Sequence, residues 1–300
     1  MTVPNDEPLM ETTTWSQGSS AEPFTTMDIR PGEFDRIRKL ILDCFGIRLA
    51  DEKRALVVGR LQHFIRQKGF SCFDDYLDRV EKDTSGRELS HLIDLISTNH
   101  TFFFREPSHF EFFARTVLPD IEARLTTRNT RDIRVWCAGC SAGDEAYSFM
   151  IQLFEHFGDR YDTWSAGVLA TDISEKMLEE ARLGIYAEKR LAEMPLSLKN
   201  RYFKKIDKDR YEIIDAVKRE VVFRRLNLKN RSFPFKHRFD VISCRNVMIY
   251  FDPDMKEHLI RSLYAQTRPG GYLFVGHSEA LNRKTLPYAY VRPGVYQKEG

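Results

Sequence analysis

Apolar residues recur at helical spacing from residue 29 onward. Between Phe34 and Phe45 they fall at Phe34, Ile37, Leu40, Ile41 and Cys44, the one-sided spacing of an amphipathic helix. Pro31-Gly32-Glu33 opens this run and Gly46 stops it. A second helical run spans Asp51 to Lys68 and ends at Gly69. A third covers about Cys72 to Lys82, and a fourth Gly86 to Ile96. Short helices joined by tight polar turns predict a small helical domain over 29–100, followed by a linker helix over 101–130.

The pattern changes after residue 130. Ile133 to Cys137, Gly167 to Asp172, Phe239 to Cys244 and Tyr272 to Val275 are short apolar runs of strand type. Helical runs follow the first three, over Asp144 to His156, Ser174 to Leu183 and Asp254 to Gln266. This alternation predicts a mostly parallel, doubly wound sheet over 131–300. Two β segments near the end, Ala289 to Arg292 and Gly294 to Gln297, suggest an edge hairpin. Between the second and third core strands, Leu196 to Val222 differs in character. It holds Tyr211-Glu212-Ile213-Ile214 and Glu220-Val221-Val222-Phe223 between charge runs, and is expected to form a small antiparallel insertion. The chain shows no internal repeat.

Composition narrows the class. A hydrophobic share of 42% and a charged share of 30% are ordinary for a soluble protein. No apolar run approaches the ~20 residues of a membrane span. Residues 1–28 carry five acids and no base, with neither a basic start nor an apolar stretch. They are expected to be a disordered tail rather than a signal peptide. The remaining residues sum to +7, too mild to argue for nucleic acid. Five scattered cysteines, an odd number, do not form a disulfide framework and point to the cytoplasm. Cys137-x-x-Cys140 lacks the second Cys/His pair that a structural zinc needs. The two are expected to be small packing residues, and no metal site is expected.

Ala138-Gly139-Cys140-Ser141-Ala142-Gly143 follows the first core strand and precedes a helix. In a doubly wound fold ligands sit at the carboxyl ends of the strands, where glycine lets backbone and ligand approach closely. Asp172 ends the second strand, where an acid can accept ribose hydroxyls. It is also placed to cap the next helix, a role for which Ser174 competes. Turn and acid together point to a nucleoside ligand without separating NAD from S-adenosylmethionine (SAM).

Longer strings make that separation. Thr98-Asn99-His100-Thr101-Phe102-Phe103-Phe104-Arg105-Glu106, Gly143-Asp144-Glu145-Ala146-Tyr147-Ser148, Cys244-Arg245-Asn246-Val247-Met248-Ile249-Tyr250-Phe251 and Gly276-His277-Ser278-Glu279 closely resemble hallmarks of the chemotaxis receptor methyltransferase (CheR) family. The resemblance runs in order from about residue 30 to 297. It implies an α/β fold: a small N-terminal helical domain that docks substrate, then a class I SAM-methyltransferase (Rossmann-like) domain with a small antiparallel β insertion at about 190–222. It also implies the ligand contacts. Asn99, Thr101 and Arg105 would close over the methionine end. Ala138, Gly139, Cys140 and Ser141 would form the turn beside the ligand, and Glu145 would lie near the methionine amino group. Asp172 would hold the ribose, Asn227 and Leu228 would flank the adenine, and Arg245 and Asn246 would follow the third strand. The chain departs from its relatives at Gly139-Cys140, where many carry alanines, and at Gly143-Asp144-Glu145, where Gly-Glu-Glu is common.

The implied reaction moves the SAM methyl group onto glutamate side chains of chemoreceptor cytoplasmic helices. A glutamate with a pKa near ~4.3 is already ionised at neutral pH, so no strong general base is needed. The site must supply position and desolvation. Arg105 and Tyr250 are the expected catalytic residues, because an Arg can hold a carboxylate with two parallel hydrogen bonds. From the residues alone, Arg105 is as well placed to pair with Glu106 or Glu111, and Tyr250 to be a half-buried core residue. His277 and Glu279 are expected to hold the fold around the end of the fourth strand.

From Lys53 to Phe73 there is no acid. On a helix, Arg60, His63 and Arg66 share the face opposite Val57, Leu61 and Ile65, and are expected to dock an acidic receptor helix. Residues 30–94 hold 13 bases against 12 acids, so the positive charge is local and does not suit an RNA-binding surface. A SAM-sensing scaffold with a dead site is the alternative from another class; the presence of Arg105, Asp172 and Tyr250 argues against it. Family members that hold a receptor C-terminal tether peptide on the β insertion resemble one another in a longer, Gly-containing loop there. The corresponding turn, Lys204 to Arg210, has no glycine, so independence from such a peptide is expected.

Overall fold

The computed structural model describes residues 28–97, 99–281 and 288–300. The tail expected over 1–28 lies, but for Asp28, outside the described residues. Helix α1 (Pro31–Phe45) starts with proline at its first turn, where a missing N–H costs nothing. Glu33 accepts the Arg30 backbone N–H at 2.8 Å, and Gly46 ends the helix in the left-handed region at φ 71°. Helices α2 (Arg54–Gln67), α3 (Phe73–Lys82) and α4 (Arg87–Ile96) complete the domain. Their apolar stripes meet in one core that includes Phe34, Ile37, Ile41, Leu61, Ile65, Tyr76, Leu77 and Leu92. Arg36 ties α1 to α3 through Asp78 and Glu81, both at 2.7 Å.

Helices α5 (Pro107–Phe112) and α6 (Leu118–Thr127), joined by a π-helical segment Phe113–Val117, lead into the second domain. There β1 (Asp132–Ala138) is followed by α7 (Asp144–Phe157), β2 (Ser165–Asp172) and α8 (Glu175–Leu183). Next come β3 (Ile185–Ala187), α9 (Leu196–Tyr202), β4 (Phe203–Lys205), β5 (Arg210–Ile213), α10 (Asp215–Arg219) and β6 (Val221–Arg225). The chain closes with β7 (Phe239–Cys244), α11 (Pro253–Gln266), β8 (Thr267–Val275), β9 (Ala289–Arg292) and β10 (Val295–Gln297). The main sheet has the order β6-β2-β1-β7-β8-β10-β9. β6, β2, β1, β7 and β8 run parallel, and the β10/β9 hairpin adds an antiparallel edge. Successive residues of β1 bury on opposite faces, as strand geometry requires. Val135 and Cys137 join the core that includes Tyr147 and Phe149 of α7, while Trp136 and Ala138 join the one that includes Leu259 and Leu263 of α11.

The insertion differs from expectation at both ends. The small sheet has the order β3-β5-β4, so its third strand is Ile185–Ala187, before residue 190. Val221–Arg225, expected in the insertion, pairs in parallel with β2 as the edge of the main sheet. Val221 and Phe223 alternate inward and bury 6% and 5% exposed, which gives this strand a main-sheet face to cover. Only the short helix α10 separates β5 from β6, so the sequence offers no visible boundary between two sheets.

The helical domain is stitched onto the carboxyl end of the main sheet. Ile47 and Phe251 form an antiparallel bridge. Asn227 Nδ2 donates to Cys44 O at 2.8 Å, and Lys229 Nζ to Leu42 O at 3.0 Å. The cleft between the two domains therefore has fixed walls.

Candidate active site

The turn after β1 is shaped by what it must avoid. Gly139 (φ 86°) and Gly143 (φ 89°) take backbone conformations that side chains rarely adopt. A Cβ on Gly139 would lie 2.4 Å from Val247 Cγ2, so glycine also allows the turn to touch the loop after β7. The Gly139 and Cys140 amides donate to Thr171 O at 2.8 and 2.9 Å, drawing the ends of β1 and β2 together. Asp172 then braces the turn. Its Oδ2 accepts Ser141 N–H at 2.7 Å, and its Oδ1 accepts Ser174 N–H at 3.0 Å. The cap of α8 belongs to Ser174, whose Oγ accepts Met177 N–H at 3.2 Å. Burial pushes the Asp172 carboxyl up, and those amides draw it back. Each carboxylate oxygen keeps capacity to accept from a ligand.

One cleft collects nearly every residue singled out. Asn99, Thr101, Arg105, Gly139, Cys140, Ser141, Glu145, Asp172, Asn227, Leu228, Arg245, Asn246 and Tyr250 all line it. Ala138 does not. It points down from β1 into the α11-side core at 1% exposure, because strand alternation turns it away from the turn it precedes. Several lining residues are already engaged. Besides Cys44 O, the Asn227 side chain takes Lys229 N–H at 3.0 Å, so its amide joins the domains together. Asn99 Nδ2 donates to Ser97 Oγ at 3.2 Å.

Arg245 is the electrostatic centre of the floor. Its guanidinium is buried and pairs with Glu145 at 2.9 Å and Glu106 at 3.2 Å, and Nη2 also donates to Arg105 O. Burial pushes the Glu106 carboxyl up, but His109, whose Nδ1 lies 3.2 Å away, and Arg245 outweigh it and hold the group below its usual range. Glu106 thus belongs to Arg245 rather than to Arg105, and Glu111 pairs with Arg115 at 2.9 Å. The Arg105 guanidinium donates to His100 O at 2.9 Å.

Tyr250 lines the same cleft, half-buried. Burial raises its hydroxyl pKa and Glu279 adds to the rise, while Arg105 and Arg60 oppose it. The loop carrying it is clamped by Glu279, whose carboxylate accepts Asn246 N–H at 2.6 Å, Gly276 N–H at 2.8 Å and Ile249 N–H at 3.1 Å. His277 is exposed, its ring 4.5 Å from that of buried His109. Glu106, His109 and His277 bring one ligand atom each within 4.8 Å of one another, although Glu106 is already engaged by Arg245. Cys137, Cys140 and Cys244 are buried, and burial pushes all three thiols up, which suits neutral packing residues.

The expected docking triad divides. His63 and Arg66 are exposed on α2. Arg60 instead donates to Ser97 O at 2.8 Å and Ile96 O at 3.0 Å, neutralising the carbonyl end of α4. Sequence reasoning missed this, and also missed Arg48, Lys53 and Phe251 on the cleft wall and Glu106 beneath it. Glu106 directly follows Arg105, and only the fold reveals that the two side chains part.

Residues 99–293 match the family model of the CheR methyltransferase SAM binding domain, and residues 32–97 that of the CheR methyltransferase all-alpha domain. The chain belongs to the CheR methyltransferase family. It is 38% identical over 272 residues to a chemotaxis protein methyltransferase of Borreliella burgdorferi, covering 91% of this chain and 96% of that one. It is 37% identical to that of Salmonella typhimurium, covering 88% of each, and 36% identical to that of Escherichia coli, covering 82% and 83%. Membership fixes the coarse activity as SAM-dependent methylation in chemotaxis, and the cleft fits that cofactor. The Asp172 carboxylate borders the space that the Gly139 turn leaves open, and Ser141 Oγ is buried without a partner among the described residues. No helix among the described residues is long and apolar enough to cross a membrane.

Proposed function

We propose that this CheR-family enzyme methylates glutamate side-chain carboxylates on the cytoplasmic helices of chemoreceptors, acting in the cytoplasm. The observation that carries the reading is that Arg105 and Tyr250 line the same cleft as Asp172 and the Gly139 turn. This supports a reading in which a carboxylate-holding cation and a hydroxyl donor stand beside a nucleoside-type site.

The residues divide the work. Asp172 holds the ribose, and Asn99 and Thr101 cover the methionine end beside Glu145. Leu228 offers an apolar wall to the adenine, and Asn227 keeps that wall in place through its hold on Cys44. Bound SAM supplies a methyl group on a sulfonium, and the carbon–sulfur bond breaks as a carboxylate oxygen forms the new carbon–oxygen bond. Arg105 uses one N–H on His100 O and retains others with which to grip a carboxylate. Its grip positions the nucleophile rather than activating it. Tyr250 stays protonated, since its burial disfavours the phenolate, and donates one hydrogen bond from a rigid ring. No proton has to move in the transfer. Transfer of radiolabelled methyl from SAM to a panel of receptor cytoplasmic fragments tests the reading. Base-labile label on one fragment identifies a carboxyl ester; base-stable label would refute it.

His63 and Arg66 extend the site outward on α2. With Arg60 closing the end of α4 behind them, they form the exposed part of a basic face suited to an acidic receptor helix.

A further inference from the structure

The cofactor and the transfer leave Asp144, the first acid of the Gly143-Asp144-Glu145 turn, without a role. It is completely buried at the start of α7. Arg190, in the 3-10 turn Glu188–Leu191 that leaves the small sheet, closes on it with two points. Nε donates to Oδ1 at 2.8 Å, and Nη2 donates to Oδ2. The same guanidinium lies 4.8 Å above the Tyr186 ring, so its place is set by a fork below and an aromatic face beside it.

What Arg190 holds is the approach to Arg105. Its backbone carbonyl accepts Phe103 N–H at 3.0 Å. One residue on, Phe104 N–H donates to Ser148 Oγ at 3.0 Å, and that hydroxyl donates to Asp144 O at 2.7 Å. The Phe103 amide is thus tied through Arg190 to the Asp144 carboxylate, and the Phe104 amide through Ser148 to the Asp144 main chain. This stretch of backbone needs restraint, because Phe104 (φ 56°) and Glu106 (φ 61°) occupy the left-handed region that bulky side chains rarely adopt.

We infer that Asp144 and Arg190 are a positioning pair that holds the Phe103–Glu106 backbone so that Arg105 points into the cleft. The inference rests on the reading of Arg105 as the residue that grips the substrate carboxylate. It gives the first acid of the turn a task separate from that of Glu145, which faces Arg245. It also means that the small β sheet and the Arg105 loop move as one piece.

The test uses the full chain with Asp144→Asn and Arg190→Gln combined, which removes the fork without leaving a charge buried. Arg190→Lys serves as the conservative single variant. The double variant is expected to lower kcat with a receptor cytoplasmic fragment roughly a hundredfold, while weakening S-adenosylhomocysteine binding far less. Hydrogen exchange at the Phe103 amide should rise in step, and Arg190→Lys should fall between the double variant and wild type in both readouts. If the double variant does not fold, Arg190→Lys carries the test alone. Unchanged kcat, or a fall in kcat with unchanged exchange at Phe103, would overturn the inference. Arg105→Ala is run in parallel. Wild-type turnover in that variant refutes the role given to Arg105, whereas an inactive Arg105→Ala beside a fully active double variant refutes only the positioning pair.

Discussion

The backbone carbonyl of Tyr250 accepts the amide N–H of Arg48 at 2.8 Å. With the Ile47–Phe251 bridge, this ties the segment after α1 to the loop that carries Tyr250. On its other side the same loop is held by two of its amides, Asn246 and Ile249, donated to Glu279. Tyr250 is thus fixed jointly by the helical domain and the end of β8. A helical domain that served only to dock substrate would have no reason to hydrogen-bond the Tyr250 loop, and this one also supplies part of the cleft wall.

Asp172→Asn is expected to weaken binding of SAM and S-adenosylhomocysteine by at least tenfold, since an amide replaces one acceptor oxygen with an NH2 donor. Asparagine keeps the shape but loses one of the acceptors for Ser141 and Ser174, so a drop of a few degrees in melting temperature accompanies it. Calorimetric titration checks the affinity. Unchanged binding would remove Asp172 from the ribose site.

Arg105→Ala and Tyr250→Phe are expected to lower kcat with receptor fragments about a hundredfold each, the scale of removing one preorganised donor at a reacting centre. Both residues stand at the cleft rather than in the core, so melting temperatures should stay near wild type. Steady-state methylation at saturating SAM separates the two effects. Normal turnover in either variant would make that side chain structural.

The helices and parallel strands were legible because their apolar spacing repeats over many residues, as in α1 and β7. The edge strand β6 was not, since nothing local separates Val221–Arg225 from the small sheet that ends eight residues earlier at Ile213. Likewise Ala138 stands in the motif but faces the core, a matter of strand phase. Arg60 shows the same gap on a helix. Its position on the outer face was readable, but its bonds to α4 depend on how two helices pack. Charge partners are the least legible, since Glu106 sits beside Arg105 in sequence yet spends its carboxylate on Arg245.

Glu106 carries a pH dependence with a definite sign. Its folded pKa lies below the unfolded value, so its contribution to stability is present above about pH 4.3 and disappears as pH falls toward the folded value. Glu106→Gln should therefore melt several degrees below wild type at pH 7, and the gap should narrow as the pH is lowered from 5 to 3. Scanning calorimetry of both proteins across that range measures it. A gap that stays constant or widens in acid contradicts the ion-pair account of the cleft floor.

Replacing His63 and Arg66 together by Glu is expected to raise the KM for receptor fragments several-fold, with SAM affinity unchanged. Added salt should weaken the wild-type interaction in the same direction. Arg60 is left out because its guanidinium holds the end of α4 just before Asn99, so its loss should disturb SAM binding as well. If the double variant keeps the wild-type KM, α2 presents only a solvated face.

Independence from a receptor tether peptide is predicted from the turn between β4 and β5 as well. The turn between β4 and β5 is only Ile206 to Asp209, and it is closed from within. Asp207 Oδ1 accepts Asp209 N–H at 3.1 Å and Arg210 N–H at 2.9 Å, while its other oxygen takes the Arg210 side chain at 2.7 Å. A turn whose own aspartate satisfies its amides has no slack with which to embrace an added strand. The neighbouring edge, β4, is three residues long and carries exposed Lys204 and Lys205, features that discourage strand addition. Titrating a receptor C-terminal pentapeptide into the protein should give no heat and no shift in melting temperature at peptide concentrations up to about a millimolar, where even a weak complex of ~−4 kcal/mol begins to fill. Saturable micromolar binding that is lost on substituting Lys204 and Lys205 would place a tether site on this sheet and reverse the prediction.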